Sequence, residues 1–156
     1  MLNIHLLVVG EKMPRWVEEG YAEYEKRIRG RIRLHLLEIP AIKRGKNADI
    51  KRIVQREEQK VVSAIPNGAH VIALDRIGKA LSTTDISAKM DQWLQQGRPI
   101  ALMVGGPEGF SSQLLKQADE TWSLSALTFA HPLVRVMLAE QIYRCYSILE
   151  GLPYHR

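Results

Sequence analysis

The sequence Leu102-Met-Val-Gly-Gly-Pro-Glu-Gly-Phe110 indicates where a buried strand ends and a glycine-rich turn begins. The apolar run from Ile100 to Val104 is typical of a strand that is covered on both faces. Three glycines within Gly105–Gly109 allow positive φ angles and the close approach of another group to the main chain. Open α/β sheets bind their ligands at such strand ends, so this turn is the first candidate for a binding site.

A second unusual segment, Ser123-Leu-Ser-Ala-Leu-Thr-Phe-Ala-His131, follows farther along the chain and has no acidic or basic residue before its closing histidine. Loops of soluble proteins are usually polar. An uncharged loop beside a glycine-rich turn therefore suits a small, flat and partly apolar ligand. The alternative is a tight turn followed by a second buried strand, and these residues alone leave both interpretations open.

Composition limits the class of protein. The chain has 156 residues, of which 46% are apolar and 25% charged, as in an ordinary single globular domain. Lys and Arg outnumber Asp and Glu by 22 to 17, which favours an anionic partner. The single cysteine, Cys145, excludes an intramolecular disulfide, and the five histidines have no metal-ligand spacing. Without a signal peptide or a long apolar segment, we expect a soluble cytoplasmic protein.

Strand and helix patterns alternate along the chain. Strands are predicted at Ile4–Val9, Ile32–Ile39, His70–Leu74 and Ile100–Val104. Helices are predicted to start near Pro14, Ala48, Ser82, Ser111 and Pro132. Asn47 is the predicted N-cap of the second helix. This order predicts one α/β domain over residues 1–156, with a mainly parallel sheet flanked by helices.

The predicted last helix, from Pro132 to Leu149, is apolar on almost every side. Such a helix has to be covered from more than one direction. Its own sheet can cover one side, and a second copy of the chain is the candidate for the other, because a chain of this length supplies few further layers. We therefore expect a homodimer.

Several familiar active sites are excluded by their motifs. The chain has no Walker phosphate loop and no nucleophile elbow, and its first strand leads into a single glycine, Gly10, where a dinucleotide fingerprint needs three. What remains are the loops that contain Leu74, Gly105 and Leu124–Phe129. Main-chain groups of these loops can bind the edge of an adenine ring while Leu74, Leu124 and Leu127 pack on its faces.

Several motifs carry a resemblance to a known family. They are Lys43-Arg-Gly-Lys-Asn-Ala-Asp-Ile-Lys51, Gly105-Gly-Pro-Glu-Gly109, Ser123-Leu-Ser-Ala-Leu-Thr128, His131-Pro-Leu-Val-Arg-Val136, Glu140-Gln-Ile-Tyr-Arg144 and Pro153-Tyr-His-Arg156. In this order they resemble the RlmH family, the ribosomal RNA large subunit methyltransferases H of the SPOUT class. The resemblance implies an α/β fold with a C-terminal trefoil knot and a homodimer. It also implies methylation of a pseudouridine at N3 in 23S rRNA, with S-adenosyl-L-methionine as donor.

The resemblance also implies roles for individual residues. The residues expected around the methyl donor are Leu74, Gly105, Gly106, Leu124, Ser125, Ala126, Leu127, Thr128 and Phe129. His155 is the candidate general base, because histidine titrates near neutrality. Tyr154 is the candidate for stacking on the target base, and Arg135 for holding a phosphate or stabilising the developing anion. The C-terminal tail of one subunit is expected to reach the donor site of the other.

Basic side chains are expected to contact RNA phosphates, which supply affinity while the cavity selects the base. They are Lys43, Arg44, Lys46, Lys51 and Arg52. For Arg29, Arg31 and Arg33, RNA binding and a merely solvated surface are both open. Since the chain has no appended RNA-binding module, the assembled ribosome is the expected partner. Two other functions stay open from the residues alone: a non-catalytic RNA- or ribosome-binding factor, and a nucleotide-binding enzyme of another reaction type.

Overall fold

Five parallel strands form one sheet in the computed structural model, which describes residues 1–156. The strands are β1 (Leu2–Val9), β2 (Ile32–Ile39), β3 (His70–Ala80), β4 (Ile100–Val104) and β5 (Glu120–Ser123), in the spatial order β2-β1-β4-β3-β5. The helices are α1 (Arg15–Glu25), α2 (Ile50–Ser63), α3 (Thr83–Gln96), α4 (Ser112–Gln117) and α5 (His131–Leu149). The prediction of an α/β fold with a parallel sheet flanked by helices is confirmed.

Helices cover both faces of the sheet. One face packs against α1, α3 and α5 in a core that includes Leu6, Trp93 and Leu138. The other packs against α2 and α4 in a smaller core that includes Met103 and Val61. Strands buried on both faces have no solvent-exposed face that would need polar residues. This explains the nearly continuous apolar sequences of β1 and β4.

Helix ends follow the capping signals in the sequence with one exception. Ser82 and Asp85 form a complete capping box at the start of α3, and Gly97 ends that helix in the left-handed conformation. The predicted N-cap of α2, Asn47, is wrong. Asp49 has the extended backbone of an N-cap, and its carboxylate accepts a hydrogen bond from the Arg52 main-chain N–H.

Helix α5 is covered only in part by its own chain, because six of its 19 residues are buried and the other 13 are partly exposed. It packs against α1 on one side and α3 on the other, and none of its residues is fully exposed. The approach to α1 is close at Gly20, where a Cβ atom would lie 3.2 Å from Cγ1 of Val136. The homodimer and the trefoil knot both stay predictions. None of the helices has the length and hydropathy of a membrane span.

The edge formed by β3 and β5 departs from the prediction. β5 was not predicted, and β3 continues to Ala80, whereas the predicted strand ends at Leu74. Trp122 pairs with both Leu74 and Lys79, so the residues between these two form a wide bulge. Within the bulge, a Cβ atom at Gly78 would lie 2.6 Å from main-chain carbon atoms of β5, so the approach of the two segments depends on glycine.

Candidate functional site

Topology creates a crevice at the carboxyl ends of β3 and β4. These two strands are neighbours in the sheet, but the chain leaves β3 for α3 on one face and leaves β4 for α4 on the other. Where consecutive connections depart to opposite faces, the strand ends are left uncovered. Open α/β sheets bind their ligands at such points.

A cavity of about 540 Å³ occupies this crevice. The Gly105–Gly109 turn after β4 forms one wall and the Ser123–Phe129 segment after β5 forms the opposite wall. His131 and Val134, at the start of α5, close the space between them. The volume lies within the range of about 300–1,000 Å³ that is usual for small-molecule sites.

Eight of the nine residues predicted to contact the donor line this one cavity. They are Leu74, Gly105, Gly106, Leu124, Ser125, Leu127, Thr128 and Phe129. The ninth, Ala126, is exposed and is not part of the lining. Three charged lining residues, Asp75, Arg76 and Glu108, were not among the predicted donor contacts, although the first two directly follow a predicted strand and the third lies inside the glycine-rich turn.

The glycine-rich turn folds back on itself, so a side chain at Gly105 would be crowded. A Cβ atom at Gly105 would lie 3.1 Å from the carbonyl carbon of Gly109, and Gly109 itself has φ of +74°. The main-chain N–H of Gly109 donates to the carbonyl of Gly106 over 3.0 Å. The turn therefore presents bare main chain to the cavity, and a flat ligand can approach it closely.

The opposite wall is held by short hydrogen bonds of its own serines. The Ser123 hydroxyl donates to the carbonyl of Ser125 over 3.1 Å, and the Ser125 hydroxyl accepts from the Leu127 N–H over 3.0 Å. The Leu127 side chain remains 71% exposed at the mouth of the cavity. This wall thus offers an apolar surface on a main chain of defined shape.

Charge in the cavity is slightly negative. Asp75 and Glu108 outnumber the one cationic lining residue, Arg76. The Arg44 guanidinium lowers the pKa of Glu108, so this carboxylate stays ionised. Burial, and next the charge of Arg135, lower the pKa of His131, so its ring is neutral near pH 7. No group of His, Cys, Asp and Glu side chains could hold a metal ion.

One polar atom at the base of the cavity has no protein partner. It is Nδ1 of His131, which is buried and makes no hydrogen bond. Because protein atoms enclose this nitrogen, it does not face the open part of the cavity. The cavity therefore combines apolar walls with open main chain.

Arg135 does not reach a surface where RNA could touch it. The residue is 2% exposed, Nη1 donates to Glu38 over 2.7 Å and Nη2 donates to the carbonyl of Gly10 over 3.2 Å. The predicted contact with a phosphate or with the reacting base is therefore not supported by its position. Instead, Arg135 joins the first turn of α5 to β1 and β2 beneath the cavity.

The C-terminal tail folds back beside the second half of α5, away from the cavity. Its contact on the helix, Tyr143, lies 12 residues after His131, which corresponds to about 18 Å along the helix. Tyr154 packs on Tyr143 with ring centroids 4.6 Å apart, and the Arg144 guanidinium lies 4.7 Å from the Tyr154 ring centroid. Nη1 of Arg144 is 3.5 Å from Nδ1 of His155, and the histidine is exposed.

Four of the five residues expected to bind phosphate are exposed: Lys43, Lys46, Lys51 and Arg52. The fifth, Arg44, is not free, because its guanidinium is bound by Glu57 and Glu108. The second basic group, around Arg31, lies at the amino end of β2, away from the cavity, and Arg31 is paired with Glu150.

The fold and the cavity define a SPOUT-class methyltransferase, and residues 2–155 match the family model described as a predicted SPOUT methyltransferase. A ribosomal RNA large subunit methyltransferase H from Thioalkalivibrio sulfidiphilus is 53% identical over 155 residues, 99% of each chain. Its counterpart from Hydrogenovibrio crunogenus is 50% identical over the same share of both chains. The chain belongs to the ribosomal RNA large subunit methyltransferase H family.

A solved structure supports the fold alone. A probable methylase family protein from Haemophilus influenzae Rd KW20 superposes with a TM-score of 0.60. The alignment covers 99% of this chain and 70% of that one, at 11% sequence identity. Such a low identity shows a shared architecture and carries no information about substrate.

Proposed function

We propose that this chain is an S-adenosyl-L-methionine-dependent methyltransferase that acts on N3 of a pseudouridine in 23S ribosomal RNA. The observation that carries the proposal is the cavity between the Gly105–Gly109 turn and the Ser123–Phe129 segment, in a chain of this family. Its apolar walls suit an adenine ring. The carboxylate of Asp75 suits a sulfonium cation or an ammonium group.

The reaction requires that the methyl group and the acceptor nitrogen are aligned and that one proton is removed from the RNA base. S-adenosyl-L-methionine, when bound, supplies an electrophilic methyl group. The protein has to hold the acceptor nitrogen in line with that group and accept the N3 proton. His155 is the proposed base, because its imidazole is exposed at the end of the tail and histidine is the side chain most often used for general acid–base catalysis.

Tyr154 is proposed to stack on the target base. Its ring packs against Tyr143 at an angle of 53° and lies near the guanidinium of Arg144, and these contacts fix its orientation. Burial, and next the charge of Glu140, raise the pKa of Tyr154, which keeps the phenol protonated. Arg135 has no direct part in this scheme, since its guanidinium is buried beneath the cavity.

A homodimer is proposed because one chain cannot bring its own tail to its own cavity. The tail packs beside Tyr143, about 18 Å along α5 from the end of the helix that closes the cavity. In a dimer, the tail of one subunit would reach the donor site of the other and complete its active site for methyl transfer. Each single domain, residues 1–156, would then contribute to two active sites.

Four exposed basic residues are proposed to hold the RNA backbone: Lys43, Lys46, Lys51 and Arg52. The first two flank Arg44, which contacts the lip of the cavity, so phosphates bound there would lie next to the reacting base. The small surface of the chain favours the assembled ribosome over free RNA as substrate. Such a substrate places the protein in the cytoplasm.

Calorimetry and a truncated chain test this proposal. The full chain is expected to bind S-adenosyl-L-methionine and to methylate ribosomes in vitro, measured by mass spectrometry of the RNA. A chain lacking Tyr154–Arg156 is expected to bind the donor with unchanged affinity and to lose methyl transfer. Retained turnover in the truncated chain would remove the tail from the mechanism. A folded full chain that gives no heat with the donor would favour a non-catalytic RNA- or ribosome-binding factor.

A further inference from the structure

Arg44 lies between two carboxylates that belong to different parts of the fold. Its Nη1 and Nη2 donate to Glu57 of α2 over 2.6 and 2.8 Å. Its Nε and Nη2 donate to Glu108 of the glycine-rich turn over 3.0 and 2.7 Å. Both contacts use two parallel hydrogen bonds, the strongest geometry open to a guanidinium. We call these three residues the Arg44 clamp.

The α2 side of the clamp is buried and satisfied. The Glu57 side chain is 4% exposed, and its Oε2 also accepts the Ile42 N–H over 2.8 Å. A buried carboxylate needs such partners, because an unpaired charge in this position is strongly destabilising. Glu57 therefore fixes the position of Arg44, and Arg44 has no free face with which to bind a phosphate.

The other side of the clamp touches the wall of the cavity. A Cβ atom at Gly106 would lie 3.3 Å from Nη2 of Arg44 and 3.6 Å from Oε1 of Glu57. The guanidinium is therefore packed against the main chain of a residue that lines the cavity. Arg44 holds this turn twice, through the charge of Glu108 and through contact with Gly106.

The next residue of α2 holds the far end of the same loop. Glu58 is 9% exposed and accepts hydrogen bonds from the N–H and from the hydroxyl of Ser111. Two adjacent glutamates of α2 thus hold the loop: Glu57 acts through Arg44 within the glycine-rich turn, and Glu58 binds Ser111 directly. Glycine-rich segments lose the most conformational entropy when they become ordered. Ordering the turn before a ligand arrives removes that cost from binding.

We propose that Arg44 is a positioning residue of the methyl-donor cavity, which holds the Gly105–Gly109 turn in its binding shape through Glu108. This inference rests on the proposed function, because it concerns the same cavity. It replaces the role expected from the sequence, in which Arg44 was one of the residues that contact RNA phosphates. In this arrangement Lys43 and Lys46 bind RNA phosphates, and Arg44 between them positions the wall of the donor cavity.

Replacing Glu108 by glutamine tests the proposal with the smallest disturbance. Glu108→Gln keeps the shape of the side chain, removes the charge on the cavity side and leaves the Arg44–Glu57 pair intact. The dissociation constant for S-adenosyl-L-methionine, measured by calorimetry, is expected to rise about fivefold, the size of effect of a partly exposed charge pair. The KM for the donor should rise by the same factor. kcat at saturating donor, the KM for ribosomes and the thermal midpoint should not change, whereas a general loss of structure would move all of them.

Two further variants separate the donor role from RNA binding. Arg44→Lys keeps the charge but loses the paired hydrogen bonds, and is expected to weaken donor binding about tenfold. Lys43→Gln, the matched control in the same loop, should leave donor affinity unchanged and should weaken ribosome binding with a smaller salt dependence.

The outcomes of these measurements are distinct. Wild-type donor affinity in both Glu108→Gln and Arg44→Lys would overturn the inference. So would an Arg44→Lys variant that loses ribosome affinity and salt dependence while its donor affinity stays normal. If the wild-type chain itself binds no S-adenosyl-L-methionine, the proposed function fails first, and the inference falls with it.

Discussion

Replacing Gly78 by alanine is expected to destabilise the protein through the contact between β3 and β5. The new Cβ atom would lie 2.6 Å from the carbonyl carbons of Thr121 and Trp122 and 2.7 Å from the Thr121 oxygen. Ordinary contacts of a Cβ atom begin at 3.4 Å, so β5 would have to move by the difference of 0.8 Å. All three colliding atoms belong to the main chain, which cannot rotate away as a flexible side chain does.

The size of the effect follows from this geometry. Overpacking usually costs about 1–3 kcal/mol, and a collision with the main chain of a neighbouring strand belongs at the upper end, about 3 kcal/mol. For a chain of this length that corresponds to a fall in thermal midpoint of about 6–12 °C. Since the same bulge carries Asp75 and Arg76 to the mouth of the cavity, donor affinity should fall as well.

Gly45→Ala is the matched control. A Cβ atom at Gly45 would meet nothing within 4 Å, and Gly45 lies outside the left-handed region. Its free energy of unfolding should stay within about 0.5 kcal/mol of the wild-type value. Urea unfolding of both variants, followed by tryptophan fluorescence and by thermal melts, makes the comparison. Equal stabilities of Gly78→Ala and Gly45→Ala would refute the close approach of β3 and β5.

Two further predictions concern ionisable groups. Burial raises the pKa of Glu120, but hydrogen bonds from His70, Lys89 and Trp122 outweigh it and lower the pKa to about 2. The resulting stabilisation is fully present above the unfolded pKa near 4.5 and is lost as the pH falls towards 2. Unfolding free energies measured across that range should therefore fall more steeply in the wild type than in Glu120→Gln, and equal slopes would contradict the assignment. Burial, and next the charge of Glu140, raise the pKa of the Cys145 thiol to about 12, so iodoacetamide at pH 8 should modify it only in unfolded protein, as seen by intact mass.

The order of strands and helices could be predicted from the sequence, because it depends on local patterns. Apolar runs ending in glycine or proline mark β1, β2 and β4 within a few residues. The capping box of Ser82 and Asp85 marks the start of α3. β5 was missed because it has four residues, of which Trp122 is the only one fully buried, and so short a strand has no periodicity to detect.

Most of the cavity could also be predicted, because its walls are loops of unusual composition. The glycines after β4 and the uncharged residues after β5 are both visible in the sequence, and their places at strand ends bring them together in a parallel sheet. The missed lining residues Asp75 and Glu108 have no composition that separates them from ordinary surface carboxylates. The bulge that carries Asp75 to the cavity depends on β5, which was not predicted.

By itself, the sequence determined the α/β class, the two loops that form the cavity and the family to which the chain belongs. Only the tertiary structure decided what the arginines do. Arg44 meets a glutamate 64 positions away, and Arg135 meets one 97 positions away. A guanidinium has the same pattern of charge whether it faces a phosphate or a carboxylate. Its role is set by the partner that the fold brings within 3 Å, and local sequence does not contain that partner.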